Sequence, residues 1–272
     1  MSLEYFYITN DTAVAKACER AGVDRIFIDM EYIGKAERQG GLDTVQNHHT
    51  VQDVKNIRAV INKAKLLVRV NPIHCGSEKE INAVIDAGAD FIMLPMWKSA
   101  EEVKRFFDIV RGRVKTILLL ETDEARLCID EVIKFDDVDE IYIGLNDLHL
   151  SQHKKFMFEL YTDGTVDEIV SKLKSENIKF GIGGVGRVNC KNLLPAENVL
   201  CEHYRLGSSM VILARAFCDY TKYSVTEFEQ IMTEGISQNR EFEKTIAEKP
   251  SDYFDKVHGE TKKIIEKIKA NK

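Results

Sequence analysis

The chain has no C-x-x-C pair among its six cysteines, Cys18, Cys75, Cys128, Cys190, Cys201 and Cys218. That scatter argues against a zinc or dithiol redox site and reads as reduced thiols, the buried ones acting as small apolar groups. No apolar run reaches the roughly 18 residues that a membrane span needs. The opening residues are too polar for a secretory signal, so a cytoplasmic protein with no membrane partner is expected. A basic excess is also missing: 38 Lys and Arg stand against 44 Asp and Glu, a net charge of −6. Nucleic-acid binding needs a basic face, so no such partner is expected. A small anionic ligand would need local positive groups or a metal.

What is present is an ordinary globular composition, 44% apolar and 30% charged, over 272 residues. That length suits one domain of the ~250-residue barrel class. Strand-like runs recur at 4–8, 25–29, 65–70, 91–94, 115–120, 140–144, 179–183 and 210–213, with helix-period segments between them. Asp11 and Thr12 can cap a helix over 13–21, and Thr50 one over 51–63. Ser77 with Glu80, and Ser99 with Glu102, have the spacing of capping boxes. Eight strands with intervening helices make an α/β fold of the (β/α)8 TIM-barrel type the expected architecture, over residues 1–249. Residues 250–272 form a C-terminal helical extension, with Val257, Ile264, Ile265 and Ile268 on one stripe. Two connections, 30–50 and 145–164, are long enough to be lids or binding loops.

Candidate chemistry gathers at strand ends. KTILLL stops at Glu121, and EIYIG runs into Leu145-Asn146-Asp147. Consecutive strand tips are neighbours in a barrel, so Glu121 and Asp147 can share one divalent cation, as Mg²⁺ takes one or two carboxylates plus substrate oxygens and water. The second strand ends Asp29-Met30-Glu31-Tyr32, the third Arg69-Val70-Asn71 and the fourth Met93-Leu94-Pro95, which brings these residues to the same rim. A cation at a barrel mouth must be paired or bind an anion, so Arg69 either neutralises Asp29 and Glu31 or holds a substrate, and the two roles are compatible. Gly181 to Gly186 satisfies G-x-G-x-x-G without the acidic residue of a nucleotide fold, so close backbone approach in a barrel loop is the better reading. Arg187 then faces the mouth, and Met96 with Trp97 lines either a contact or the core.

The segments AGVDRIFIDME, LLVRVNP, VIDAGADFIMLPM, LLLETDEA and IYIGLNDL follow one another between residues 21 and 148. In that order they resemble the HpcH/HpaI aldolase and citrate lyase β-subunit family of pyruvate barrels. The resemblance implies that Glu121 and Asp147 are metal ligands, for Mg²⁺ with Mn²⁺ or Co²⁺ as alternatives. It implies that Arg69 contacts the oxo group and stabilises an enolate, and that Asn146 and Asp147 hold a carboxylate beside Pro95. Asp29 and Glu31 match the acidic pair after strand two, and Asp86 matches an aspartate that assists a catalytic histidine. The implied activity is a carbon–carbon lyase acting through a pyruvate-like enolate on a 2-oxo acid, in a homo-oligomer.

Two positions depart from the pattern. The pyruvate aldolases carry a histidine after the second-strand glutamate where this chain has Tyr32, and a glutamine where it has Leu119. Tyrosine, with an ordinary pKa near 10, is a poor base at neutral pH. The candidate bases are then a metal-bound water, Tyr32 itself, or one of His48, His49 and His74. A citrate-lyase-like acyl-CoA lyase, which does not use the missing histidine, and a non-catalytic barrel that retained the metal site are the other readings.

Overall fold

In a computed structural model the described residues are 2–34 and 49–270. Eight parallel strands close into a barrel in chain order. The elements are β1 (Glu4–Ile8), α1 (Thr12–Ala21), β2 (Arg25–Asp29), α2 (Val51–Arg58), β3 (Lys65–Arg69), α3 (Ser77–Asp86), β4 (Phe91–Leu94) and α4 (Ala100–Val110). There follow β5 (Lys115–Leu120), α5 (Asp123–Leu127), α6 (Ile129–Val132), β6 (Glu140–Ile143) and α7 (Leu145–Ser151). Then come α8 (Thr165–Ser175), β7 (Lys179–Val185), α9 (Ala196–Leu206), β8 (Met210–Leu213), α10 (Val225–Ala247) and α11 (Ser251–Ala270), with 3₁₀ turns at Met157–Tyr161 and Tyr220–Lys222. The (β/α)8 expectation is correct, and a helical region follows the barrel.

The strands read as near-continuous apolar runs because both faces are covered, as in parallel sheets generally. Phe6, Phe27, Leu67, Met93, Ile117, Leu119, Tyr142 and Met210 fill the barrel interior, while a larger apolar layer lies between strands and helices. Below that interior Arg25 is 2% exposed and lies against the rings of Phe6 and Phe91, 4.6 and 4.0 Å away. It is paired with Glu4 and with Glu140, the latter at 2.6 Å. The barrel is therefore sealed at its N-terminal end, and the open end is the C-terminal rim.

Local chemistry explains most element ends. Asp11, Thr50, Ser99 and Ser224 accept N–H bonds as N-caps. The expected box at Ser77 is absent: Gly76 is the N-cap, and Glu80 turns away to Asn71 and His74. The helix after Thr50 stops at Arg58, short of residue 63. The 145–164 connection is not structureless, because Leu145, Leu148 and His149 bury one side of α7 and a 3₁₀ turn follows. The β7 strand runs two residues past its expected end, to Val185, through a register shift. α11 begins at Ser251 and docks on α9, where Asn198 Nδ2 donates to Thr261 Oγ1 at 2.9 Å and His258 Nδ1 lies 2.8 Å from Glu202.

Candidate active site

The open rim holds a cavity of about 740 Å³. Parallel register brings its polar groups together, since Asp29 at the end of β2 is the direct partner of Arg69 at the end of β3. Arg69 Nε and Nη2 donate to the two oxygens of Asp29, both at 2.8 Å, and Nη1 is 3.3 Å from Glu31 Oε2. Asp29 and Glu31 are 1% and 2% exposed. Burial opposes the guanidinium charge, but Asp29 and Glu31 outweigh it and push the Arg69 pKa further up. The pairing foreseen for Arg69 is present, and the residue also lines the cavity.

Glu121, at the end of β5, is 3% exposed and accepts the Met96 N–H at 3.1 Å. Met96 reaches it from the left-handed region, φ 52°, an uncommon conformation for a side-chain-bearing residue. Gly144 is required beside it, since a Cβ there would stand 2.9 Å from Glu121 Cβ. Asp147 lines the same cavity from the first turn of α7. Burial raises the Glu121 pKa well above the usual carboxylate range, and the facing Asp147 raises it further, against the opposing effect of Arg69. A buried carboxylate whose ionisation is opposed by burial and by a facing carboxylate suits a cation. Among the described residues no three His, Cys, Asp or Glu gather on one point. A metal held at this site would have the Glu121 and Asp147 carboxylates as its protein donors, a pair that fits a hard divalent ion completing its shell with substrate and water.

Asp29, Arg69, Glu121, Asn146 and Asp147 all line the cavity. The remaining candidates lie elsewhere. Tyr32 is 62% exposed; Asn71 Oδ1 holds its backbone N–H at 3.0 Å while the ring faces solvent. His49 Nδ1 accepts the Asp29 N–H at 3.0 Å, so its neutral ring keeps a proton on Nε2 and that acceptor nitrogen is engaged. His48 lies outside the described residues. His74 is bound to Glu80 at 3.1 Å and to the Gly76 N–H, away from the cavity. Asp86 is exposed at the C-terminal end of α3, the helix end that returns to the sealed side of the barrel, so in this chain it is remote from the rim. Pro95 is buried off the cavity, and its neighbour Met96 makes the contact with Glu121. Arg187 does not line the cavity; its stem packs where a Cβ on Gly235 would stand 2.7 Å from Cδ. Trp97 is core, 1% exposed.

Part of the cavity wall was not foreseen. Arg215, Asp219, Tyr220 and Thr221 contribute it from the segment after β8, with Met157 and Phe158 from the 3₁₀ turn. The signal for Arg215 was the one that found Arg69, a cation just past a buried strand. Among the described residues no helix is long and apolar enough to cross a membrane.

No curated protein sequence matches this chain. Among solved structures, an HpcH/HpaI aldolase from Desulfitobacterium hafniense DCB-2 superposes with TM-score 0.60 at 13% identity, covering 92% of this chain and 94% of its own. A family protein from Burkholderia cenocepacia J2315 gives 0.58 at 16% identity, over 78% and 88%. The citrate lyase β subunit from M. tuberculosis, complexed with oxaloacetate and magnesium, gives 0.58 at 13% identity, over 85% and 97%. At such identities the likeness is one of fold. The sequence itself matches the HpcH/HpaI aldolase/citrate lyase family model over residues 3–159, more than half its length and the stretch that carries Asp29, Arg69, Glu121 and Asp147. By that match, and with the closed eight-stranded barrel, this chain belongs to the HpcH/HpaI aldolase/citrate lyase family.

Proposed function

We propose that this protein is a divalent-metal-dependent carbon–carbon lyase that acts on small 2-oxo acids through a pyruvate-like enolate. The observation that supports it is the meeting of Arg69, Glu121 and Asp147 on one cavity, where burial and the facing Asp147 raise the proton affinity of Glu121. In this reading Glu121 and Asp147 hold the metal, Mg²⁺ by donor chemistry, with Mn²⁺ or Co²⁺ as substitutes. A divalent ion bound there supplies Lewis-acid stabilisation of charge on the 2-oxo group. The M. tuberculosis citrate lyase β subunit, solved with oxaloacetate and magnesium, combines a 2-oxo acid with that metal in the same fold.

The chain's own residues account for the rest of the chemistry. Asp29 takes two of the five Arg69 donors and fixes the guanidinium on the cavity wall, beside the position of an enolate oxygen. Glu31 holds the same cation from a second side. In the same reading the backbone around Asn146 and Asp147, in the first turn of α7 and on the cavity wall, holds the substrate carboxylate. The exposed Tyr32 ring gives no support to that side chain as the base. The same reading takes the protein to be a cytoplasmic homo-oligomer working on small molecules.

The experiment is deuterium exchange into the methyl group of pyruvate, followed by NMR with Mg²⁺ or Mn²⁺, beside Glu121→Ala. Exchange that needs both the metal and Glu121 is the expected result. No exchange with metal still bound would exclude the pyruvate reading. One observation then favours a second: the position that holds the aldolase histidine carries Tyr32, pointed into solvent. A citrate-lyase-like cleavage of an acyl-CoA thioester does not need that histidine. Inactivity toward both substrate classes would leave a ligand-binding barrel.

A further inference from the structure

The seam between β7 and β8 is irregular. Gly181 pairs with Met210 and Gly184 with Ile212, so three steps on β7 oppose two on β8. This is a bulge with one extra residue, a device found beside active sites, where it re-aims the chain. Gly183, at φ +51°, occupies it and turns its carbonyl out of the ladder. A side chain from the neighbouring strand meets both displaced groups. Tyr142 Oη donates to the Gly183 carbonyl at 2.6 Å and accepts the Ile212 N–H at 2.7 Å. One hydroxyl on β6 thus stitches β7 to β8 across the gap.

That stitch lies next to the candidate metal end of the site. Tyr142 lines the cavity, and two residues later Gly144 passes against Glu121. Gly183 abuts Leu145: a Cβ there would stand 2.7 Å from Leu145 Cδ1. Leu145 is buried and leads directly into Asn146 and Asp147. Glycine at 181 is what admits the Tyr142 ring, since a Cβ there would come within 2.5 Å of it. The nearby Tyr161 hydroxyl is equally buried but has no hydrogen-bond partner among the described residues.

We propose that Tyr142 is a positioning residue: its hydroxyl holds the β7 bulge, the bulge seats Leu145, and Leu145 sets where Asp147 meets Glu121. The inference rests on the metal reading above for its consequence and on the two hydrogen bonds for its cause. Burial pushes the Tyr142 pKa up, so the hydroxyl stays a donor throughout the working pH range.

The test is the dissociation constant of Mn²⁺ alone, read from the EPR signal of the free ion, for wild type, Tyr142→Phe, Tyr161→Phe and Glu121→Gln. Tyr142→Phe is expected to weaken Mn²⁺ binding about tenfold, the scale for groups that orient metal ligands from outside. Tyr161→Phe, which removes a buried phenol without a stitch, is expected to stay within about twofold on the same scale. A lower melting temperature for Tyr142→Phe with unchanged Mn²⁺ binding would overturn the proposal, because a merely structural hydroxyl gives that pattern. If Glu121→Gln binds Mn²⁺ as wild type does, the metal reading itself fails, whatever Tyr142 does. Should Tyr142→Phe not fold, the wild type still decides. Linkage requires that Mg²⁺ with pyruvate slow amide exchange at Ile212, the N–H that Tyr142 holds. Unchanged exchange there overturns the proposal.

Discussion

Asp29 takes both Nε and Nη2 of Arg69, and the two residues are register partners on adjacent strands. Lysine cannot reproduce that fork, since an ammonium is a point charge on a flexible stem. Arg69→Lys should lower kcat/KM about 100-fold, the scale for removing an aligned donor from developing negative charge. Steady-state kinetics on the substrate established by the exchange experiment checks it, and a loss under threefold would remove Arg69 from the reaction. The residues that sequence reading found at this scale share one property: Asp29, Arg69 and Glu121 end apolar runs, and a charge there has to face the rim. Tyr142 carried no such mark. Its ring is ordinary barrel filling, and its hydroxyl acquires a task only from a bulge on another strand. Asp86 is the opposite case: a matching motif named it, and the chain direction of a barrel helix puts it at the sealed end of its own barrel.

Elements differ in how firmly they are held. The strands have both faces covered, while α11 rests on α9 through one stripe in which Thr261 is fully buried and Ile265 is 1% exposed. Ile265→Ala should cost about 2–4 kcal/mol of docking, the range for emptying a buried isoleucine site. Urea unfolding would show it either as a lower midpoint or as an early separate transition of the tail. The apolar stripe of this helix was legible as Val257, Ile264, Ile265 and Ile268, and its start close to residue 250 was legible from the proline. Ser251 opens the helix right after Pro250, a residue tolerated at the entrance to a helix and barred from its interior. The missed box at Ser77 has a tertiary cause: Glu80 is drawn to Asn71 and His74, partners that no local spacing reveals.

Across the whole molecule one buried base sets an acid limit. His203 is fully buried, with Nδ1 at 2.9 Å from Ser208 Oγ and Nε2 without a partner among the described residues, and burial pushes its pKa down to about 3. The unfolded chain titrates near 6.5, so above that pH both states are neutral and the group contributes no slope. Between about 6.5 and 3 the unfolded state alone takes up the proton, and stability falls by roughly 1.4 kcal/mol per pH unit. Denaturant unfolding from neutral to acid pH should show this slope, and His203→Asn should flatten it by one proton. The largest asymmetry of the molecule lies along the barrel axis. At the sealed end Arg25 is saturated by Glu4 and Glu140, whereas at the rim Glu121 and Asp147 face each other. Among the described residues the plugged floor makes the cavity a blind well that opens at the rim. For the lyase proposed above, whatever is seated deepest would enter first and leave last, and the fragment nearer the rim would be the first released.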